Sequence, residues 1–315
     1  MNTKKAVKRS PAEASFKKVG MLGLGIMGSA MAANLMKAGF EVHGHDPSAQ
    51  ALKRFRAAGG QPCPDAATLV RQVDVVITSL PSPAALQACA QVLAKAGRKG
   101  LPVIETSTLD IADKEAARAL LAAKGVVLLD CPLSGTGAQA ARKDLTVYAS
   151  GSKTLVKQLA PVFDGFSKAH YDLGAFGNGM KMKLMANLLV AIHNVSTAEA
   201  LLLGQRWGIK PSQAVKILSN GAGGSRMLDV RGPMMEGEGW REATMKIAVW
   251  QKDMKLIAQA LADAEVPAPL FAATVPIYNA AMGMGHAEND TAAVFDVLAR
   301  MSSQTKPAAK PKAKR

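Results

Sequence analysis

The sequence is poor in aromatic residues and in cysteine, and both shortages limit what the protein can be. Aromatic side chains make up 4% of the 315 residues, so the core must be built from Ala, Leu, Val and Met. The three cysteines are an odd number, and their spacing matches neither a zinc site nor a CxxC motif. We therefore expect a reducing compartment and free thiols at Cys63, Cys89 and Cys131.

Long hydrophobic runs are missing as well. No stretch reaches the roughly 18 consecutive apolar residues of a membrane span, and the first residues lack the apolar segment of a signal peptide. The five histidines show no HExxH or other close metal spacing, and there is no GxSxG motif, so a metalloenzyme and a serine hydrolase are both disfavoured. We expect a cytoplasmic protein with no metal site and no membrane partner.

Positive charge is abundant and lies mostly at the two ends. The net charge is +15; residues 1–18 hold six basic residues and one acidic residue, and residues 302–315 hold five basic residues. Both ends are rich in Pro, Ala and Lys without hydrophobic periodicity, so we predict disordered tails. Such tails either solubilise the protein or make a loose contact with an anion or a nucleic acid. We favour the first role, because the chain between them is only mildly basic.

From Val19 onward, short apolar runs alternate with amphipathic stretches. This rhythm is typical of an α/β domain whose parallel sheet carries helices on both faces. Strands are predicted at residues 19–24, 41–45, 73–80, 103–105, 126–130, 145–150 and 169–173. Helices are predicted between them at residues 27–38, 49–58, 84–96, 111–123 and 153–159.

After Gly179 the pattern changes to helical spacing, and little up to Met301 reads as strand. A long helix is predicted at residues 180–207, with others at 211–218, 244–264, 267–282 and before the second tail. We therefore predict an α/β domain at 19–179 and an all-helical domain at 180–301, joined through the long helix. The helical domain is expected to contact substrate and to dimerise.

A glycine motif, Gly23-Leu24-Gly25-Ile26-Met27-Gly28, follows the first predicted strand and opens the first predicted helix. A GxGxxG dinucleotide motif requires this context, since its glycines allow a tight turn, close approach of pyrophosphate and close helix packing. Asp46 ends the second strand, where a carboxylate binds the ribose hydroxyls of NAD and repels the 2′-phosphate of NADP. A purely structural turn and a helix-capping Asp46 are the alternatives. We predict a Rossmann-type doubly wound sheet that binds NAD, with NADP less favoured.

Two lysines begin the predicted long helix, and helical geometry distinguishes them. Lys183 and Asn187 are four residues apart and share a face, whereas Lys181 lies about 200° around the helix from Lys183. A lysine beside a positively charged nicotinamide ring loses part of its proton affinity and becomes able to shuttle a proton near neutral pH. The alternative is a lysine on a solvated helix face. We predict Lys183 as a general acid/base with Asn187 as its partner.

Four motifs between about Val19 and Leu298 resemble those of the β-hydroxyacid dehydrogenase family. They are the glycine motif continued by Met31-Ala32-Ala33-Asn34-Leu35, residues 130–136, residues 177–187 and Lys252-Asp253-Met254. The resemblance implies hydride transfer between NAD(P) and a small β-hydroxy acid or its semialdehyde or keto form, with Lys183 as the acid/base. It also implies that Asn187 orients the substrate. The remaining implied contacts are Ser134, Gly135 and Thr136 to the substrate, and Leu80, Pro81, Thr108 and Lys252 to the cofactor.

Several residues depart from the family pattern. Thr136 replaces the usual second glycine of the substrate motif, Ala186 replaces the first of two asparagines, and Glu105 stands where Asp is commoner. Met245 occupies a place where some relatives carry Phe. These departures leave the identity of the hydroxy acid open.

Two other functions compete with this prediction. One is that of an imine reductase relative, and the other is that of a non-catalytic dinucleotide-binding assembly or reader protein. Both kinds of relative tend to lack the catalytic lysine, so its presence here favours a hydroxyacid dehydrogenase. By the same resemblance we expect a homodimer or a homotetramer.

Overall fold

The computed structural model describes residues 16–302, so the disorder predicted for residues 1–15 and 303–315 lies outside the described residues. The chain divides into two compact units between Ala186 and Asn187. The prediction that the first tail reaches residue 18 is wrong, because Lys18 is the first residue of a strand. The backbone N–H groups of Lys17 and Lys18 donate to Asp74 Oδ2 at 2.9 and 2.8 Å and fix this start of the fold.

Six parallel strands form the main sheet of the first unit. They are β1 (Lys18–Leu22), β2 (Glu41–His45), β3 (Gln61–Pro62), β4 (Val75–Thr78), β5 (Pro102–Glu105) and β6 (Val127–Asp130). Their order, β3-β2-β1-β4-β5-β6, means that the chain runs outward from β1 and then returns to build the other half. In such sheets ligands bind where the strand order reverses, here at the carboxyl ends of β1 and β4. The predicted doubly wound parallel sheet is confirmed.

Helices connect these strands: α1 (Ile26–Lys37), α2 (Ala49–Ala57), α3 (Ala66–Gln72), α4 (Pro83–Ala96) and α5 (Ile111–Ala122). Successive residues of a strand point to opposite faces of the sheet. Met21 accordingly belongs to one buried hydrophobic cluster and Leu22 to another. Ile77 and Val76 of the neighbouring strand divide between the same two clusters. Both faces of the sheet are therefore covered, as expected for parallel strands.

A small second sheet completes the first unit. It contains β7 (Leu133–Ser134), β8 (Thr146–Ala149) and β9 (Ala169–Asp172), with β7 antiparallel to β8 and β8 parallel to β9. The short helices α6 (Gly137–Ala141), α7 (Lys153–Gln158) and α8 (Ala160–Phe166) lie between these strands in the chain. A β-bridge between Asp130 and Ser150 connects the end of β6 to the end of β8.

The long helix α9 (Asn178–Arg206) spans the division between the two units. By length and composition alone it could cross a membrane, a criterion that core helices of soluble proteins also meet. It is followed by α10 (Pro211–Leu218), α11 (Arg226–Arg231), α12 (Ile247–Asp263), α13 (Pro269–Gly283) and α14 (Val294–Met301). Between residues 187 and 302 the regular structure is helical apart from one β-bridge, between Lys246 and Asp290, which confirms the predicted helical region.

Candidate functional site

The glycine loop between β1 and α1 combines tight packing with open space. Gly23 has a φ of +95°, and a Cβ there would collide with the carbonyl oxygen of Ser79. A Cβ on Gly28 would collide with the carbonyl oxygen of Gly23. A Cβ on Gly25, in contrast, would meet no atom within 4 Å. The fold therefore requires glycine at positions 23 and 28, whereas Gly25 leaves room beside the backbone for a ligand.

Helix α1 begins at this loop without a capping side chain. Its N-cap residue, Gly25, provides no side-chain hydrogen bond, and the first turn contains no acidic residue. The N–H groups of a first helical turn carry partial positive charge and bind anions. Because the loop combines this helix terminus with the space at Gly25, it fits the pyrophosphate of a dinucleotide.

Asp46 fixes the glycine loop from the end of β2. Its Oδ2 accepts the backbone N–H of Leu24 at 2.7 Å, and its Oδ1 accepts the N–H of Ser48 at 2.8 Å. The N-cap of α2 is Ser48, whose Oγ accepts the N–H of Ala51, so the alternative role of Asp46 as helix cap is wrong. Each carboxylate oxygen has a second lone pair that can accept a ribose hydroxyl.

Hydrogen bonds join the segments that follow β4 and β5. The N–H of Leu80 donates to Ser107 Oγ at 2.8 Å, and the N–H of Ser107 donates to Glu105 Oε1 at 2.9 Å. Pro81 is exposed and Thr108 is half-buried. The predicted cofactor contacts Leu80, Pro81 and Thr108 thus lie on linked segments at the carboxyl edge of the sheet, which the glycine loop shares. Their contact with a cofactor stays a prediction.

The substrate motif forms β7 and the start of α6. Ser134 is half-buried, and Gly135 has a φ of +135° with no room for a Cβ beside Leu145. The Oγ1 of Thr136 accepts the N–H of Gln139 at 3.4 Å, and Gln139 Oε1 accepts the N–H of Thr136 at 3.0 Å. This capping box explains what a threonine does at the position where the family usually has glycine: it caps α6.

The glycine loop and the substrate motif adjoin. A Cβ on Gly137, the first residue of α6, would lie 2.5 Å from Ile26 Cγ2. The Ile26 side chain is nevertheless 76% exposed. An apolar group therefore stands beside the predicted dinucleotide and substrate segments of the first unit.

Lys183 and Lys181 differ in burial as the helical geometry predicts. Lys183 is 8% exposed, whereas Lys181 is exposed on another side of α9. A lysine that only solubilises a helix has no reason to be buried. The role of Lys183 as acid/base stays a prediction, but its burial argues against the solvated alternative.

Two polar groups hold the first turn of α9. The N–H of Met180 donates to Asp130 Oδ2 at 2.8 Å, and the N–H of Gly179 donates to Ser150 Oγ at 2.9 Å. A Cβ on Gly179 would collide with the carbonyl oxygen of Tyr148 and would lie 2.7 Å from that of Asp130. Glycine at position 179 is therefore needed to bring the helix this close.

Sequence analysis missed Lys114, whose Nζ lies 2.6 Å from Glu105 Oε2 and 2.7 Å from Asp130 Oδ1. All three side chains are completely buried. Burial lowers the pKa of Lys114, but the carboxylates of Glu105 and Asp130 outweigh it and hold that pKa above its ordinary value. A signal was present, since Lys114 shares one side of α5 with the buried residues Ala117 and Leu121.

In the second unit, Asn187 contacts the Lys252-Asp253 motif. Asn187 is buried, and its Nδ2 donates to Asp253 Oδ2 at 2.9 Å. Lys252 Nζ lies 3.4 Å from Asp253 Oδ1, and the Lys252 side chain is 41% exposed. Asp253 lies in the motif of residues 252–254, and the sequence predicts no separate role for it. It restricts the rotamer of Asn187, the residue predicted to orient the substrate.

A second buried ion pair fixes the segment that contains Met245. Arg231 Nε lies 3.1 Å from Asp290 Oδ1, and Asp290 Oδ2 accepts the N–H groups of Thr244 at 2.7 Å and Met245 at 2.9 Å. Burial lowers the pKa of Arg231, and the Asp290 charge opposes that shift. The backbone that leads into α12 is therefore held by a buried carboxylate.

Two family models match the chain. One, described as the NAD binding domain of 6-phosphogluconate dehydrogenase, matches residues 18–201. The other, described as NAD-binding of NADP-dependent 3-hydroxyisobutyrate dehydrogenase, matches residues 177–298. The first match alone covers more than half of the chain, and the second includes α9 and most of the helical unit.

Individual relatives match over nearly their whole length. L-threonate dehydrogenase of Cupriavidus necator is 33% identical over 285 residues, which are 89% of this chain and 95% of the relative. Glyoxylate/succinic semialdehyde reductase 2, chloroplastic, of Arabidopsis thaliana is 30% identical over 289 residues, which are 91% of this chain and 80% of the relative. The solved structure of Mycobacterium tuberculosis 3-hydroxyisobutyrate dehydrogenase with L-serine has a TM-score of 0.81 at 28% identity, covering 90% of this chain and 99% of its own.

Proposed function

The chain belongs to the β-hydroxyacid dehydrogenase family, and from that premise we propose that Lys183 is the general acid/base of its reaction. The protein is an NAD(P)-dependent hydroxyacid dehydrogenase, which favours the predicted function over an imine reductase relative or a non-catalytic reader. One observation carries the assignment of Lys183: it is buried just after a firmly held helix terminus, while Lys181 of the same helix is exposed.

The proposed chemistry gives each site residue a distinct task. During oxidation the neutral amine of Lys183 accepts the proton of the substrate hydroxyl, and during reduction its ammonium form returns a proton to the carbonyl oxygen. The hydroxyl group of Ser134 and the backbone N–H of Gly135 hold the substrate carboxylate, and Asn187 orients the substrate. Thr136 contributes its backbone to this site, because its hydroxyl caps α6. When bound, the nicotinamide ring supplies the hydride chemistry.

The substrate we propose is a small β-hydroxy acid, or its semialdehyde or keto form. Named relatives include enzymes of L-threonate, 3-hydroxyisobutyrate and 2-(hydroxymethyl)glutarate. These three acids, together with L-serine, glyoxylate and succinic semialdehyde, make a panel that covers both reaction directions. Absorbance of the reduced nicotinamide at saturating NAD(H) and NADP(H) reports turnover of each. No rate with any member would contradict the proposed substrate class.

The role of Lys183 is tested by a matched pair of lysine substitutions. We expect Lys183→Ala to lower kcat by about 10²- to 10⁴-fold, because general acid/base catalysis typically contributes that much. Lys181→Ala, on the exposed side of the same helix, is the control and should stay close to wild type. Dinucleotide affinity, measured by fluorescence titration, should be nearly unchanged in both variants. Retained activity without Lys183, or equal losses at the two lysines, would refute the assignment.

For the cofactor we propose NAD, with NADP less favoured. The carboxylate of Asp46 is held at the end of β2 by two backbone N–H groups. There it can accept hydrogen bonds from ribose hydroxyls, and it would repel a 2′-phosphate. No arginine occurs between Asp46 and Arg54 to offer that phosphate a partner. We expect NAD to be preferred by about 1 to 3 kcal/mol in kcat/KM. Equal or better use of NADP by the wild type would contradict this choice.

We further propose a cytoplasmic homodimer or homotetramer. The helical unit leaves large apolar side chains exposed, among them Leu203, Trp207, Ile217 and Leu270. A contiguous patch of exposed apolar side chains usually forms the contact surface with another protein. Light scattering during size-exclusion chromatography gives the mass of the assembly, and a monomer at micromolar concentration would contradict the proposal. Cell fractionation tests the compartment.

A further inference from the structure

A chain of polar contacts in the first unit runs from the predicted cofactor contacts to the helix of Lys183. Glu105 accepts the N–H of Ser107 through Oε1 and pairs with Lys114 through Oε2. Lys114 also pairs with Asp130, whose other oxygen accepts the N–H of Met180 in the first turn of α9. We call Glu105, Lys114, Asp130 and Ser150 the Lys114 cluster.

We propose that the Lys114 cluster positions Lys183 by fixing the first turn of α9, and that Lys114 is its central positioning residue. The inference rests on the proposed role of Lys183 as acid/base. Lys114 itself does not react. It acts through Asp130, and Ser150 supports the same turn by accepting the N–H of Gly179.

The electrostatics of Asp130 explain why a cation is needed. The carboxylate of Asp130 is completely buried and faces two positive partners, the ammonium group of Lys114 at 2.7 Å and the N-terminus of α9. A buried carboxylate that loses its cation must reorient, take up a proton or admit water. Each of these changes alters the acceptor that Met180 uses. The position of the helix terminus therefore depends on the side chain of Lys114, which acts on it through the Asp130 carboxylate.

The geometry also explains why the effect should reach Lys183. Lys183 lies three residues, less than one helical turn, after Met180. A helix that shifts or frays at its first turn moves the Lys183 amine directly. Reacting groups must sit within a fraction of an ångström of their productive position, and a displacement of about 1 Å can reduce the rate by about 10²-fold.

Three substitutions test the inference. Lys114→Met removes the cation and keeps an unbranched side chain of similar length. Ser150→Ala keeps all three charges and removes only the hydroxyl group, so it remains informative if Lys114→Met does not fold. Lys124→Met is the matched control, because Lys124 is exposed just after α5. Each purified holoenzyme is assayed for kcat, KM and dinucleotide Kd, using the best substrate of the panel.

We expect Lys114→Met to lower kcat by about 10- to 100-fold, with smaller losses for Ser150→Ala and none for Lys124→Met. For Ser150→Ala, KM and dinucleotide Kd should stay within about twofold, because neither the glycine loop nor Glu105 is altered. Amide hydrogen exchange should accelerate more in residues 178–183 of both cluster variants than in β4, whose exchange follows the change in global stability. A purely structural role would instead accelerate exchange by the same factor in both segments, with kcat retained by the folded protein.

The result that overturns the inference is a wild-type kcat in both cluster variants, or unchanged exchange in residues 178–183. Lys183→Ala separates this failure from a failure of the proposed function. If Lys183→Ala is inactive and the cluster variants are fully active, only the positioning role is wrong. If Lys183→Ala remains active, the proposed function fails, and hydrogen exchange still reports whether the cluster fixes the helix terminus.

Discussion

The two compact units each bury a carboxylate that holds a backbone segment, but they neutralise it differently. In the first unit, Asp130 accepts a hydrogen bond from the backbone N–H of Met180. The positive charge that neutralises Asp130 is mainly that of Lys114. In the second unit, Asp290 accepts three backbone N–H groups and two threonine hydroxyls, in addition to its ion pair with Arg231. The comparison teaches that the charge of Asp130 is neutralised mainly by one cation, whereas that of Asp290 is also stabilised by three backbone N–H groups.

The largest expected effect tests this contrast through stability. Lys114→Met should lower the free energy of unfolding by about 3 to 5 kcal/mol, as removal of one partner of a buried ion pair typically does. Arg231→Met should have a smaller effect, about 1 to 3 kcal/mol, because Asp290 keeps its backbone donors. Urea denaturation followed by circular dichroism measures both. Equal losses in the two variants would show that backbone donors do not replace a cation.

A second contrast is between Gly28 and Gly25 of the glycine loop, where the expected changes in unfolding free energy are smaller. Gly28→Ala places a Cβ against the carbonyl oxygen of Gly23, so we expect a loss of about 1 to 3 kcal/mol in unfolding free energy. Gly25→Ala places its Cβ in open space and should change stability by less than about 0.5 kcal/mol.

Gly25→Ala and Gly28→Ala also distinguish an effect on stability from an effect on dinucleotide binding. Gly25→Ala should still weaken dinucleotide binding by about tenfold or more, which corresponds to about 1.4 kcal/mol, because the pyrophosphate must approach the backbone there. Thermal unfolding and fluorescence titration give the two quantities for each variant. A Gly25→Ala protein with wild-type affinity would mean that the space beside the loop does not hold a dinucleotide.

The smallest expected effect concerns Asp46, which is a surface counterpart of the two buried carboxylates. It also accepts two backbone N–H groups, from Leu24 and Ser48, but it remains half-exposed. Asp46→Asn should reduce the preference for NAD over NADP by about 1 kcal/mol, because one charge repulsion is removed. The ratio of kcat/KM for the two dinucleotides is the correct measure, since damage to the loop affects both equally. An unchanged ratio would assign Asp46 a purely structural role.

Long elements with regular patterns could be predicted from the sequence, and short ones could not. The strand at residues 41–45 and the helix at residues 211–218 have the predicted bounds, and the other long helices differ by only a few residues. The missed elements are short: β3, α3, β7, α6, α8 and α11. The two residues of β7 form a strand only because β8 pairs with them, and the five residues of α6 depend on the capping box at Thr136. Such contacts have no periodic signature.

In the candidate site, too, features that depend on residues close in sequence could be predicted, and those that depend on distant residues could not. The glycine motif, Asp46 and the distinction between Lys181 and Lys183 could be derived from spacing, because each depends on residues close in sequence. The spacing of Lys114 on α5 indicates the buried side of that helix, but it does not reveal which groups pair with a residue that is normally exposed. Its burial depends on carboxylates at the ends of two other strands, and only the folded sheet brings these together.

The capping box at Thr136 has a consequence for anyone who wishes to change the substrate range of this enzyme by mutagenesis. Position 136 lies in the substrate motif, so it would be a natural position to randomise. Its hydroxyl also closes the first turn of α6, whose five residues begin beside Ile26 of the glycine loop. Replacement by a residue that cannot cap would cost about 0.5 to 2 kcal/mol and loosen that turn. A library restricted to Ser, Asn and Asp would alter size and charge at this position while keeping the helix cap.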